Sequence, residues 1–192
     1  MVTDLRALNK YVRRPRHRFP HVDEIKKKIE ATTRYMISMD LTASYHQVRI
    51  RKEDRHLTTF SLEQGLFQMK RACMGLASSG DEFCARSDKV FDGVKTVKLV
   101  DDVLLQEPSK KEALATFRKV LERCRANGVV LSASKLKAGT DIPFAGFRVK
   151  IVENEPTINP DPAKCKAFRE MRRPENVAEL RSFLGSAAQL AS

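Results

Sequence analysis

Val94-Lys95-Thr96-Val97-Lys98-Leu99-Val100-Asp101-Asp102-Val103-Leu104-Leu105-Gln106 is the stretch on which the fold turns. Two apolar, β-branched runs flank a pair of carboxylates, the pattern of two strands joined as a hairpin. Val97, Leu99 and Val100 on one side, and Val103, Leu104 and Leu105 on the other, are apolar enough to bury that hairpin within a sheet. Asp is disfavoured inside strands and common at turns, so its presence at the tip has a plain explanation. The setting adds a second one. Carboxylates at the tip of a buried element cannot scatter into solvent, and adjacent like charges repel unless a cation lies between them. The economical cation is Mg²⁺, which takes oxygen ligands and binds one or two carboxylates together with substrate phosphates.

Working outward, Tyr35-Met36-Ile37-Ser38-Met39-Asp40 reads as a second strand that ends in a third acid. Tyr35, Ile37 and Met39 share one face, and Met36, Ser38 and Asp40 the other. Residues 56–62 and 66–69 read as a hairpin around Glu63-Gln64-Gly65. Ser79-Gly80-Asp81-Glu82 has the form of a capping box opening a helix to Val90, with Gly93 as its stop. Ser109-Lys110-Lys111-Glu112 opens a longer helix with Leu114, Phe117, Leu121 and Cys124 on one face and Gly128 as C-cap. Residues 144–151 and 156–158 read as strands around Glu153-Asn154. Helices at 162–171, after Asp161, and at 177–184, after Asn176, close the chain. Mixed strands and helices with hairpins give an α+β class: an antiparallel sheet with helices packed on one face.

At 192 residues the chain fits one domain with a core of its own. Lys and Arg exceed Asp and Glu, 36 to 24, leaving a net charge of +12. The basic pieces recur from Arg13-Arg14-Pro15-Arg16-His17-Arg18 to Arg169–Arg173, which favours a polyanionic partner, nucleic acid, over a merely solvated basic surface. No apolar run approaches a membrane span, and the start lacks the apolar region of a signal peptide, so an intracellular place, cytoplasm or nucleus, and no membrane partner are expected. Cys73, Cys84, Cys124 and Cys165 form no CxxC and read as ordinary thiols; His17, His21, His46 and His56 make no zinc spacing. A metal must then be held by oxygen. A basic protein with metal-binding carboxylates suits phosphoryl transfer, since two metals about 3.5–4 Å apart clamp the attacking and leaving oxygens. From these residues alone the reading is nucleotidyl transfer or nuclease.

The ordered motifs resemble the reverse transcriptases of gypsy-like LTR retrotransposons. Val2-Thr3-Asp4-Leu5-Arg6-Ala7-Leu8-Asn9-Lys10 is similar to the family's D-x-R-x-L-N-K fingers segment. Met39-Asp40-Leu41-Thr42-Ala43-Ser44-Tyr45-His46-Gln47-Val48 resembles its first catalytic motif, D-L-x-S-G-Y-H-Q-I. Met74-Gly75-Leu76 falls at P-F-G-L, Leu99-Val100-Asp101-Asp102 at the Y-x-D-D hairpin, and Phe144-Ala145-Gly146-Phe147 at the F-L-G strand near the primer end. Asn159–Lys164 and Glu179-Leu180-Arg181-Ser182-Phe183-Leu184-Gly185 resemble the start of the thumb. Leu99 replaces the hairpin Tyr, Cys73-Met74 replaces Pro-Phe, and Ala43-Ser44 replaces Ser-Gly.

The resemblance implies an RNA-directed DNA polymerase core with partial fingers (1–32 and 51–70), a palm (33–50 and 71–158) and the start of a thumb (159–192). On that resemblance the stretch would be a core without part of the fingers, most of the thumb or an RNase H-like or integrase-like region. The catalytic and metal-binding acids would be Asp40, Asp101 and Asp102, holding two Mg²⁺ (or Mn²⁺). The backbone through Leu41, Ala43 and Ser44 would face the incoming dNTP, Tyr45 would be the steric gate against a ribose 2′-OH, and Gly75 would allow close approach beside the base pair. Arg6 and Asn9 would touch an RNA or DNA template, and Gly146 would lie near the primer terminus. The alternative is an inactive remnant that binds nucleic acid.

Overall fold

The computed structural model describes residues 4–18, 20 and 22–191; Val2 and Thr3 of the fingers-like motif, and His21, lie outside the described residues. The central sheet has four antiparallel strands, β4 (Thr96–Leu99), β5 (Asp102–Glu107), β1 (Tyr35–Asp40) and β6 (Lys137–Gly139), in that spatial order. A two-stranded hairpin, β2 (Phe60–Leu62) and β3 (Gly65–Phe67), stands apart from it, as does a three-stranded sheet, β7 (Asp141–Phe144), β8 (Phe147–Val152) and β9 (Glu155–Pro160). Helices α1 (Arg6–Asn9), α2 (Val22–Lys27), α3 (Ser79–Phe91), α4 (Lys110–Asn127), α5 (Pro162–Arg169) and α6 (Val177–Ala191) complete the chain. No helix among the described residues is long and apolar enough to cross a membrane.

The two faces of β1 and β5 feed two cores. Ile37, Met39, Val103 and Leu105 pack with Phe83, Cys84, Val90 and Phe91 of α3 and Val120 and Cys124 of α4. Met36 and Leu104, on the opposite face, pack with Ile25 of α2 and with Ile142, Phe144 and Val149 of the three-stranded sheet. Helices α3 and α4 therefore lie together on one face as expected, while α2 and the second sheet cover part of the other. Fully burying a Leu, Ile or Met side chain stabilises by about 1.5–3 kcal/mol, so this double burial locks the central strands. Cys73, Cys84 and Cys124 are free, buried thiols whose pKa burial raises.

Several local expectations shift. Ser79 does not cap α3: its hydroxyl donates to the Cys73 carbonyl at 3.0 Å, and the N-cap position falls on Ser78, which makes no side-chain cap bond. Ser109 does cap α4, accepting from the Glu112 N–H at 3.2 Å and donating to its carboxylate at 2.6 Å. The buried stripe of α4 is Ala113, Val120 and Cys124; Leu114 and Leu121 are 47% and 43% exposed, because they lie one residue off the line that meets the sheet. Residues 52–58 form a 3-10 helix where a strand was expected from His56, since the Thr58 and Thr59 hydroxyls bond back to the Arg55 and His56 carbonyls. Residues 144–151 are not one strand. Ala145 and Gly146 adopt φ of +51° and +83°, turning the chain between Phe144 and Phe147. Asp161 and Asn176 cap α5 and α6 as their sequence suggests, accepting from the Ala163 and Glu179 N–H groups.

An irregular strap, residues 11–18, is stapled to α3 through a buried acid. Asp81 is 1% exposed, pairs with the Arg14 guanidinium and accepts from the His17 N–H at 2.9 Å. The Arg14 hydrogen bond first, then the His17 N–H, hold its carboxyl below the usual carboxylate range. Because the folded value is depressed, this staple contributes its full stability above about pH 4, the ordinary carboxylate pKa, and loses it as pH falls through the lower folded value. Asp81→Asn is expected to cost about 1–3 kcal/mol at neutral pH and to flatten the acid limb of a urea-midpoint titration. An acid limb identical to wild type would show that the staple does not exist in solution.

Candidate active site

The β4–β5 hairpin closes in two residues, Val100 and Asp101, because Leu99 already pairs with Asp102. One carboxylate, not two, sits at the tip; the other is the first residue of β5. Val100 takes φ +56°, a left-handed conformation that costs a β-branched residue about 1–3 kcal/mol. The turn is held from outside by the Leu41 N–H, which donates to the Asp101 carbonyl at 3.0 Å.

β1 runs antiparallel to β5 with Asp40 directly opposite Asp102. Residues so opposed have Cβ atoms about 4.5–5.5 Å apart on one face of the sheet. The structure thus brings together Asp40 and Asp102, with Asp101 next in chain. Asp40 and Asp102 line a cleft of about 510 Å³ together with Ser38, Lys135, Lys137 and Gly146, and Asp101 is not part of its lining. Burial first, then the charges of Asp101 and Asp40, raise the Asp102 carboxyl pKa. Lys135 offsets part of this: its ammonium lies 2.9 Å from Asp40 Oδ1, and that contact raises the lysine's own pKa. Asp40 is 17% exposed and Lys135 65%, so the pair sits at the rim of the cleft. A further cavity of about 420 Å³ lies behind the hairpin, lined by His17, Asp88, Lys98 and Val100, and takes in none of the three acids.

The donor set suits a divalent cation only in one form. Among the described residues no three His, Cys, Asp or Glu side chains form a ready-made metal cage. A hard cation that keeps water and phosphate oxygens as ligands needs only one or two carboxylates. Two like charges facing each other in register, one with its ionisation disfavoured by burial, fit that demand.

The other expected residues are spread around this cleft and beyond it. Leu41 is buried and bridges Leu131. Ala43, exposed, takes φ +47°, and Ser44 and Tyr45 begin a single 3-10 turn, Ser44–Gln47. The Tyr45 ring meets Phe83 edge-on at 6.3 Å between centroids. Gly75 is exposed with φ +91°, which favours glycine there. Asn9 spans the same loop, donating to the Gly75 carbonyl at 2.7 Å and accepting from the Ala77 N–H at 2.9 Å. Arg6 pairs with Asp4 at 2.7 Å on the surface. Sequence reasoning missed Lys135, Lys137 and the anchoring bonds of Gln47. Leu131-Ser132-Ala133-Ser134-Lys135 reads as a polar connector, and only the Leu41–Leu131 bridge and the Ser132 N–H on the Asp40 carbonyl (2.8 Å) bring it to the acids.

Removing the half-buried charge at position 102 should relax this like-charge arrangement. Asp102→Asn is expected to stabilise the cation-free protein by about 0.5–2 kcal/mol at neutral pH, measured by urea unfolding in the presence of chelator. A loss of stability would mean that the two acids do not oppose each other as described.

Comparison with known proteins points one way. A family model described as "Reverse transcriptase (RNA-dependent DNA polymerase)" matches residues 1–178. The transposon Tf2-3 and Tf2-7 polyproteins of Schizosaccharomyces pombe are each 26% identical over 190 residues, covering 97% of this chain. The chain spans only 14% of the length of each polyprotein. Among solved structures, a foamy viral protease-reverse transcriptase in complex with dsDNA superposes with a TM-score of 0.86 at 23% identity, over 98% of this chain and 39% of that one. The foamy viral protease-reverse transcriptase in complex with RNA/DNA hybrid gives 0.84 at 22% identity, over 96% of this chain and 25% of the other. These structural likenesses are likenesses of fold.

Proposed function

The chain belongs to the reverse transcriptase (RNA-dependent DNA polymerase) family, and on that premise we propose that it is an RNA-directed DNA polymerase core that adds dNTPs to the 3′-OH of a primer on an RNA or DNA template. The observation that carries the reading is the register of β1 on β5, which sets Asp40 opposite Asp102 beside Asp101 at the mouth of an open cleft. In this reading the four-stranded sheet with α3 and α4 belongs to the palm, the β2–β3 hairpin to the fingers, and α5 and α6 to the start of the thumb.

Asp40, Asp101 and Asp102 would hold one or two Mg²⁺ (or Mn²⁺) ions, which when bound supply charge neutralisation at the phosphates and a more acidic 3′-OH. The rest falls to the chain itself. The turn after Asp40, with Ala43 exposed at φ +47°, presents its backbone and that of Leu41 and Ser44 toward the triphosphate. Lys135 and Lys137 place positive charge on the cleft wall where phosphate oxygens arrive. Tyr45, half-buried against Phe83, acts as the gate against a 2′-OH. Gly75 leaves room for the base pair, and Arg6 and Asn9 meet the template strand. Asn9 reaches it with its remaining N–H, one being used on Gly75. Gly146, on the wall of the same cleft, stands by the primer end. The charge of +12 supports a nucleic-acid partner, whose binding would weaken steeply with salt.

Primer extension with Mg²⁺ and dNTPs tests this. Extension is expected, and Asp101→Ala is expected to lower its rate by about a thousandfold or more. Undiminished extension by the variant overturns the reading. Salt-sensitive binding of template–primer without extension by the wild type would favour the inactive, nucleic-acid-binding remnant instead.

A further inference from the structure

Gln47 ends the Tyr45-His46-Gln47 motif, yet none of the roles above falls to it. Its side chain is nevertheless committed. The carboxamide nitrogen donates to the Thr42 carbonyl and, at 3.1 Å, to the Val130 carbonyl, while its oxygen accepts from the Val130 N–H at 3.1 Å. A primary amide that meets both groups of one residue in this way imitates a strand neighbour. It continues a short backbone ladder: the Ser132 N–H on the Asp40 carbonyl at 2.8 Å, Leu41 opposite Leu131, and the Thr42 N–H on the Val130 carbonyl at 3.0 Å. Gln47 adds the next rung with a side chain, after the backbone has turned away.

The segment enclosed by those rungs makes few hydrogen bonds of its own beyond the one its Gln47 carbonyl accepts from Arg71 at 3.1 Å. Ala43 is in the left-handed region, and the 3-10 turn Ser44–Gln47 has no side-chain cap; its local bonds are His46 N–H on Ala43 at 2.8 Å and Val48 N–H on Tyr45 at 3.0 Å. Single 3-10 turns are weak on their own. Tyr45 in its middle is half-buried against the core, its ring meeting Phe83 edge-on. The far anchor is firmer: Val129 and Gly128 terminate α4, whose C-cap bonds to Cys124 and Arg125 are made.

We infer that Gln47 is a positioning residue that ties the turn carrying Tyr45 to the end of α4, fixing the height of the tyrosine ring and so how strictly a nucleotide bearing a 2′-OH is refused. The inference rests on the polymerase reading and on Tyr45 as gate. Gln47 touches no reacting atom; it acts through residues 42–45.

Gln47→Met keeps the chain length and removes the three hydrogen bonds. Hydrogen exchange at the Val130 amide, measured without substrate, is expected to quicken by about tenfold. In primer extension the dNTP KM should rise by about fivefold with kcat within about twofold, and the kcat/KM preference for deoxy- over ribonucleotides should fall by about fivefold. Unchanged Val130 protection overturns the inference. So does lost protection with KM and sugar preference intact, or a fall in kcat alone, since either describes a merely structural residue. Gln47→Leu, which likewise removes the three hydrogen bonds, carries the same test if the Met variant does not fold. If the wild type extends no primer, the polymerase reading has failed, and Val130 exchange alone then decides whether the tie exists.

Discussion

Asp40 stands opposite Asp102 across an antiparallel strand pair, and like charges so placed push the strands apart. The rest of the domain is arranged to hold that register against the repulsion. Ile37, Met39, Val103 and Leu105 are buried on the helix side, and Met36 and Leu104 on the other. A slip of one residue would turn every one of these side chains to the wrong face, including the acids, which would then point at α3 and α4. Each buried aliphatic contributes about 1.5–3 kcal/mol, so six of them far outweigh one cross-strand repulsion. Packing therefore decides where the charges meet, and the charges do not decide the packing.

The same arrangement explains the shape of the cleft. Helices α3 and α4 close one face of the central sheet, and α2 with the three-stranded sheet covers only part of the other, leaving the ends of β1 and β5 open beside the Ala145-Gly146 turn. Lys135 is the local counter-charge, and it comes from a connector with no regular structure beyond one short 3-10 turn, Ala133–Lys135. Its position depends on the ladder that runs from Asp40 through Leu41 to Thr42.

Much of this was legible in the residues. The alternation in Tyr35–Asp40, the apolar flanks of Asp101-Asp102, and the caps at Ser109, Gly128 and Asp161 all act within a few residues of chain, where sequence carries the information. What failed depends on distant partners. Ser79 has the right neighbours for a cap but finds the Cys73 carbonyl instead. Leu114 and Leu121 satisfy helical spacing, yet which side of α4 meets the sheet is set by Ala113, Val120 and Cys124. Ala145 carries no turn signal, and its positive φ is imposed by the pairing of Phe144 with Phe147. Lys135 reaches Asp40 across 95 residues of chain, a distance no local pattern spans.

The surroundings of Asp81 bind two remote positions into one unit of heredity. A carboxylate with 1% exposure is tolerable only while a guanidinium answers it, and Arg14 lies 67 residues away in the chain. Losing either partner alone strands a charge, whereas exchanging both for apolar groups removes the problem entirely. Among sequences descended from a common ancestor with this one, these two sites should therefore drift in concert, appearing together or vanishing together, while the exposed arginines at 13 and 16 wander independently.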